Sequence, residues 1–146
     1  MHVPVQVDYG IRALVDLAEH AAEAPIRTAD IARRQSIPEP FLARVLLTLS
    51  KGGLVASQRG PQGGHSLAKP PEDISMGMVV EHLGGTSSLV SCLDDLQNCG
   101  IYANCTQREV WSIVEEATKR ILDATSIKDL LERVSAAKLQ EIAVAG

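Results

Sequence analysis

Residues 6 to 67 carry three helical patterns followed by a glycine-rich hairpin, and this order restricts the fold more than any other feature of the chain. Apolar side chains recur at helical spacing from about Gln6 to Ala24, where Pro25 is expected to end the first helix. Thr28 is a suitable N-cap for a short second helix with the sequence TADIARRQ. The pattern therefore predicts one long helix and one short helix before residue 36.

A third helix is predicted after a tight turn at residues 36–37. Pro38 and Pro40 fit only the first turn of a helix, where backbone amide hydrogens have no partner in any case. The glycine pair at residues 52–53 is expected to end this helix. Its buried stripe is predicted to consist of Leu42, Val45, Leu46 and Leu49.

Two short strands, at residues 54–56 and 65–67, surround a tip with the sequence SQRGPQGG. Helix, short helix, turn, helix and hairpin is the order of a winged helix-turn-helix. In that unit the second helix of the pair enters the major groove of DNA, and the hairpin, or wing, contacts the backbone or the minor groove. The sequence thus predicts a mainly α fold with a small β-wing that binds double-stranded DNA. The alternative is the same fold used to dock a protein.

Charge is distributed unevenly along the chain. The net charge is −4, but residues 27–60 contain six basic and two acidic side chains, which gives this segment a net charge of +4. A local basic surface on an acidic protein is typical of a small DNA-binding domain. An ordinary solvated charged face is the alternative interpretation.

The second half of the chain predicts three more helices. One covers MGMVVEHLGG, a long one runs from about Thr106 to Thr125, and a last one starts at Ser126, with Asp129 at the capping-box position. The tail after it is expected either to extend this helix or to fray. The apolar stripe of the long helix consists of Val110, Ile113, Val114, Ala117, Ile121 and Ala124. Such a stripe needs a second surface, which a symmetric dimer supplies.

Three cysteines, Cys92, Cys99 and Cys105, lie within fourteen residues on a polar stretch, and the chain has no others. A loop can direct three sulfurs at one soft metal, and an odd number cannot all pair as intramolecular disulfides. The alternatives are an iron–sulfur cluster, zinc with three cysteines and one other ligand, and three ordinary thiols. Zinc is less favoured because tight Cys-x-x-Cys knuckles are absent. The predicted parts are a winged helix-turn-helix DNA-binding domain at 1–84, a cysteine loop at 85–105, and a dimerisation helix with a C-terminal helix at 106–146.

Several classes of protein are not expected. No run of about 18 apolar residues is present that would span a membrane. The N-terminal sequence MHVPVQVDYG has neither a basic segment nor an apolar signal stretch, so we expect a cytoplasmic protein with reduced thiols. No nucleophile elbow or phosphate loop appears, so an enzyme is not expected.

The segments VDYGIRALVDLA, IPEPFLARVLLTLSKGGLVASQRG and RGPQGGHSLAKPPEDISMGMVVEHLGG, followed by the cysteines and a tryptophan-bearing helix, resemble the Rrf2 family of bacterial regulators, in particular its IscR and NsrR group. The resemblance covers roughly residues 3–134. It implies a dimeric transcription factor, a repressor rather than an activator, whose iron–sulfur cluster controls its affinity for a palindromic operator. In such regulators three cysteines hold a two-iron or four-iron cluster, here a 2Fe–2S cluster by preference, and the fourth ligand is not cysteine. A clusterless relative, tuned by a protein or metabolite partner or by thiol oxidation, is the alternative.

The resemblance offers two positions for the fourth ligand. Some members use a histidine three residues beyond the last cysteine, where this chain has Gln107. Others are thought to use a carboxylate at the start of the first helix of the partner subunit, and Asp8 occupies the matching place. Asp8 is also a helix N-terminal carboxylate of the kind that the helix dipole favours.

The predicted DNA contacts lie at three places: the start of the second helix, the start of the third helix and the wing. Arg44 could bind a guanine, Glu39 a cytosine amino group, and Arg59 matches the family's minor-groove arginine. A solvated arginine, a helix-start carboxylate and glycines that only shape the turn are the alternatives. The full set is Thr28, Pro38, Glu39, Pro40, Phe41, Arg44, Arg59, Gly60, Gly63 and Gly64.

Overall fold

The computed structural model describes residues 2–84, 93 and 99–145. The helices are α1 (Val5–Glu19), α2 (Thr28–Gln35), α3 (Glu39–Lys51), α4 (Met76–Leu83), α5 (Arg108–Ala124) and α6 (Ile127–Ala145). Two strands, β1 (Val55–Gln58) and β2 (Gly64–Leu67), form one antiparallel sheet. The predicted fold class, mainly helical with a small β-wing, is therefore confirmed. None of the described helices is long and apolar enough to cross a membrane.

The core is aliphatic and is built around α1, which packs against α2, α3, α4 and α6. The side chains predicted to form the buried stripe of α3 are all buried. Burying an aliphatic side chain of this size stabilises a fold by about 1.5–3 kcal/mol. The core thus holds one side of α3 against α1, and the opposite side of α3 is exposed to solvent.

The predicted end of the first helix is wrong by about one turn. The helix ends at Glu19, and a short 3-10 turn covers Ala21–Glu23. His20 leaves the helical conformation, and its backbone N–H and its ring nitrogen Nδ1 both lie within hydrogen-bonding distance of the Asp16 carbonyl oxygen. Because the residue before a proline is disfavoured in the α region, Ala24 is extended, and the periodicity before it does not continue as helix.

The start of α6 is joined to the start of α4 by backbone hydrogen bonds. Met76 N–H donates to the Thr125 carbonyl at 2.8 Å, and Ile127 N–H donates to the Ile74 carbonyl at 2.8 Å. The predicted capping box is present, since the Asp129 carboxylate accepts from the Ser126 N–H at 2.8 Å. The tail does extend the last helix, which continues to Ala145 and packs against α1.

Candidate DNA interface and cysteine segment

The turn between α2 and α3 depends on one residue in the left-handed conformation. Ser36 has φ 53° and ψ 46°, which reverses the chain after α2. Ile37 follows it, is buried, and donates its N–H to the Ala32 carbonyl at 3.0 Å. A buried side chain and a backbone hydrogen bond therefore set the orientation of α3 directly before that helix begins.

The first turn of α3 presents the residues predicted to contact DNA. Residues 38–40 are exposed, and Pro40 lies in the first turn as predicted. The Phe41 ring is instead partly buried and meets the Tyr9 ring edge-on, with 5.4 Å between the ring centroids. Arg44 Cζ lies 5.5 Å from the Phe41 centroid, so the ring supports an exposed guanidinium. Contact of these residues with bases stays a prediction.

The wing, residues 55–67, has a tip whose shape requires glycine at two positions. Gly60 has φ 107°, and a Cβ on Gly63 would collide with the carbonyl oxygen of Gln58. The geometry of the turn alone accounts for these two glycines. Arg59 is exposed at the tip. Approach of Gly60 and Gly63 to a phosphate stays a prediction, as does that of Gly64, whose missing side chain leaves room for the backbone of Ile26.

The wing is joined to the segment that enters α2. Ile26 and His65 exchange two backbone hydrogen bonds of 2.8 and 2.7 Å, and Arg27 Nη2 donates to the Pro61 carbonyl at 3.1 Å. The prediction that Thr28 caps α2 is wrong. Arg27 occupies the N-cap position, and the Thr28 hydroxyl oxygen lies 2.8 Å from His65 Nε2.

Arg34, one of the six basic residues counted in the segment 27–60, lies against α1 instead of on the exposed DNA-binding face. Arg34 donates from Nε and Nη2 to the two carboxylate oxygens of Asp16, at 2.9 and 2.6 Å, and this hydrogen bonding raises the pKa of Arg34. Asp16 is fully buried and also accepts from Gln35 Nε2 at 3.0 Å. Sequence reasoning missed this site, although the acidic residue in the apolar stripe of α1 was a signal for it. The exposed arginines of the predicted face include Arg27, Arg33, Arg44 and Arg59.

Asp8, the candidate fourth metal ligand, lies in the first turn of α1. Its Oδ2 accepts from Arg12 Nη2 at 3.0 Å, and the Asp8 side chain is 54% exposed. Arg12 donates from its other terminal nitrogen to the Gln35 carbonyl at 2.7 Å. One guanidinium thus joins the candidate ligand to the last turn of α2. Metal ligation by Asp8 stays a prediction.

In the described part of the cysteine segment, two cysteines flank one short turn. Cys99 and Cys105 are half-buried on either side of the 3-10 turn Tyr102–Asn104. Arg108, the first residue of α5, donates to the Tyr102 carbonyl at 2.6 Å and lies over the Tyr102 ring at 4.0 Å. The cysteine segment is therefore anchored to the start of α5.

Cys92 lies outside the described residues, so the predicted set of three thiols is described only for two of its members. Among residues 2–84, 93 and 99–145, no three histidine, cysteine or acidic side chains are grouped to hold a metal ion. Gln107, at the position where some relatives carry histidine, accepts from Trp111 Nε1 at 3.1 Å. Two thiols on a polar turn are soft donors of the kind that suit an iron–sulfur cluster or zinc.

Helix α5 has an exposed apolar face. Ile113 is 55% exposed and Ile121 is 67% exposed, and no residue of this helix is buried in the described chain. Asp123 on another side of α5 approaches Gly77 of α4 so closely that a Cβ at this position would displace the Asp123 carboxylate. The apolar face thus points away from the helix on which α5 rests. The exposed large apolar side chains of α5 are Val110, Trp111, Ile113, Val114 and Ile121.

Comparison with known proteins identifies the family. A family model described as an iron-dependent transcriptional regulator, Rrf2, matches residues 4–133. The chain belongs to the Rrf2 family. Rrf2 proteins are transcriptional regulators that bind DNA, so this interpretation of the winged helix is now supported by descent as well as by element order.

Several relatives of this Rrf2 chain are named as transcriptional regulators. It is 34% identical to protein rrf2 of Nitratidesulfovibrio vulgaris, over 92% of this chain and 90% of that protein. It is 33% identical to the HTH-type transcriptional regulator IscR of Aliivibrio salmonicida, over 84% of this chain and 73% of that protein. The structure of CymR, the global cysteine regulator of B. subtilis, matches with a TM-score of 0.76 and 28% identity, covering 91% of this chain and 98% of that one.

Proposed function

We propose that this Rrf2 regulator acts as a homodimeric repressor whose affinity for a palindromic operator is set by an iron–sulfur cluster of the 2Fe–2S type. The proposed ligands are Cys92, Cys99 and Cys105 of one subunit and Asp8 of the partner subunit. The observation that carries the proposal is the pair of half-buried cysteines that flank one turn, which Arg108 anchors to α5. The family's description as iron-dependent supports it.

An iron–sulfur cluster supplies the signal chemistry, because it reacts with oxidants or nitric oxide, or is lost when iron is scarce. The residues of the chain connect such a site to the helix-turn-helix. Arg12 holds both the Asp8 carboxylate and the Gln35 carbonyl at the end of α2. Tyr9, the neighbour of Asp8, packs on Phe41 of α3, and Phe41 supports Arg44. The proposed ligand position is therefore linked to the end of α2 through Arg12, and its neighbour Tyr9 contacts α3 directly.

The proposed DNA interface combines the first turn of α3 with the start of α2 and the wing. In this proposal Arg44 and Glu39 contact base edges, and their neighbours Pro38, Pro40 and Phe41 pack against the same bases. Arg59 enters the minor groove. The remaining contacts are made to phosphates by the backbone or side chains of Thr28, Gly60, Gly63 and Gly64. Exposed arginines at or beside all three places, on a chain of net charge −4, support this assignment.

The cluster is tested by preparing the protein without oxygen and measuring iron and acid-labile sulfide per chain. Wild-type protein is expected to be coloured and to contain both elements, and Cys99→Ala is expected to be colourless. A colourless wild-type preparation with stoichiometric zinc would contradict the proposal.

The fourth ligand is tested with two matched carboxylate variants. Asp8 and Asp30 each lie in the first turn of a helix and each pair with an arginine on the same helix, at 3.0 and 3.3 Å. We expect Asp8→Ala to change the absorption spectrum and to speed the loss of iron in air, whereas Asp30→Ala leaves both unchanged. Identical spectra and rates in wild type and Asp8→Ala would remove Asp8 from the ligand set.

A second function is favoured by one finding, the similarity to a protein named as a global cysteine regulator. In this version the same thiols act without a metal, and oxidation of Cys99 or Cys105 changes DNA affinity. It predicts an oxygen-free preparation that lacks iron and sulfide. It also predicts an operator affinity that changes on thiol oxidation and returns on reduction.

A further inference from the structure

His65 of β2 links the wing to the segment that enters α2, in addition to the contact between Arg27 and Pro61. His65 makes the two backbone hydrogen bonds to Ile26, which extend the two-stranded sheet by one residue pair. Ile26 directly precedes the residues that lead into α2, so the position of the wing relative to α2 depends on this pairing.

The side chain of His65 adds two more links. Its Nε2 lies 2.8 Å from the Thr28 hydroxyl oxygen at the start of α2, and its Nδ1 lies 2.9 Å from the Ser57 hydroxyl oxygen on β1. The residue is half-buried. The His65 side chain on β2 therefore connects the start of α2 with β1, the other strand of the wing.

Imidazole is well suited to this place. A neutral ring has one donor and one acceptor nitrogen on opposite sides, and a hydroxyl can both donate and accept. Both links are therefore satisfied in either tautomer of the ring. An apolar ring of similar size would fill the space but would leave two hydroxyl groups without this partner.

We propose that His65 is the positioning residue of the wing, which holds the tip with Arg59 at a fixed angle to the start of α2. The consequence for DNA binding rests on the proposed contact between Arg59 and the minor groove. In a variant without these links the wing stays folded as a hairpin but moves relative to α3. When α3 lies in the major groove, Arg59 is then no longer placed to enter the minor groove.

The link itself is tested without DNA, by limited digestion with trypsin at the Arg59–Gly60 bond. We expect cleavage at this bond to be faster in His65→Phe than in wild type, with far-ultraviolet circular dichroism unchanged. Thr28→Val removes one link while keeping the shape of the side chain, and it should also speed cleavage, whereas Thr28→Ser should not. Ser66→Ala, in the same strand, is the control. Equal cleavage rates in wild type, His65→Phe and Thr28→Val would overturn the positioning role.

The consequence for DNA binding is tested by a double-mutant cycle on operator affinity. Arg59→Ala is expected to weaken binding about tenfold in wild type, the range of one good groove contact, and by less than about twofold in His65→Phe. An equal loss in both backgrounds would overturn the positioning role. No loss in wild type would instead refute the proposed Arg59 contact, and the trypsin experiment would still decide the role of His65.

Discussion

Asp16 shows how a single buried carboxylate fixes the helix-turn-helix on the rest of the chain. A buried charge destabilises a protein unless it is paired and hydrogen-bonded. Here three N–H donors from Arg34 and Gln35 surround the carboxylate at 2.6–3.0 Å. Both donor residues lie in the last turn of α2, so the pairing sets the orientation of α2 against α1.

Removing the arginine leaves the carboxylate buried without its ion pair. We therefore expect Arg34→Met to lower the free energy of unfolding by about 3–5 kcal/mol. Arg33→Met is the matched control, because Arg33 is exposed and pairs with Asp30 at the surface, where such pairs contribute less than about 1 kcal/mol. Urea denaturation followed by circular dichroism measures both. Equal losses in the two variants would contradict the structural role of Arg34.

His65 predicts a pH dependence of stability. Burial lowers the pKa of His65 below its usual 6.5. Between the lowered pKa and pH 6.5 the unfolded chain binds a proton at this residue and the folded chain does not. The free energy of unfolding is therefore highest above pH 6.5 and falls as the pH drops from 6.5 toward the lowered pKa. The loss of urea stability between about pH 7.5 and pH 5.5 should be smaller in His65→Phe than in wild type. An identical loss in the two proteins would contradict burial of the imidazole.

Residue-level contacts were the least predictable part of the molecule. Arg34 was assigned to the basic face because its charge fits there, yet its partner Asp16 is eighteen residues away in sequence. Threonine is a residue type typical of N-cap positions, but the Thr28 hydroxyl lies within hydrogen-bonding distance of His65, thirty-seven residues later. Local patterns contain no information about such long-range partners, so these contacts became visible only in the folded chain.

At the scale of elements, the apolar face of α5 is the feature with the clearest consequence. Ile121 is 67% exposed in one chain, and its neighbours on the same face are exposed as well. Such a stripe is typical of a helix that packs against another copy. The proposed homodimer covers this face.

A charge in the middle of this face should prevent association. We expect Ile121→Glu to be monomeric at micromolar concentration and Ser112→Glu, on the opposite side of the helix, to keep the oligomeric state of wild type. Sedimentation velocity measures the oligomeric state of both variants. A dimeric Ile121→Glu protein would show that another surface forms the dimer.

Most elements were predictable, because apolar periodicity and glycine positions act locally. The three helices of the N-terminal half, the hairpin and the box at Ser126 appear where the sequence indicated. The end of α1 was not predictable, because the periodic pattern continues to Ala24 while His20 turns back onto Asp16. Helix ends depend on the partners of the last backbone carbonyls as well as on periodicity.

At the scale of the whole molecule, the cysteine segment connects two helices with different neighbours. Among the described helices, the one before it, α4, packs on α1 and α3, and the one after it, α5, packs on α4. The proposed dimer face lies on α5 and the proposed DNA face on α3. A change in the cysteine segment therefore has short physical routes both to the partner subunit and to the operator.

A cluster bound by these cysteines is proposed to set operator affinity, and three affinity measurements on one preparation test this directly. Operator affinity is measured on a single oxygen-free preparation before iron removal, after it, and after reconstitution, with iron and sulfide quantified each time. We predict that the cluster-loaded protein binds at least about tenfold more tightly, a difference of about 1.4 kcal/mol, and that reconstitution restores this affinity. An affinity that stays the same while iron and sulfide are lost would contradict the account.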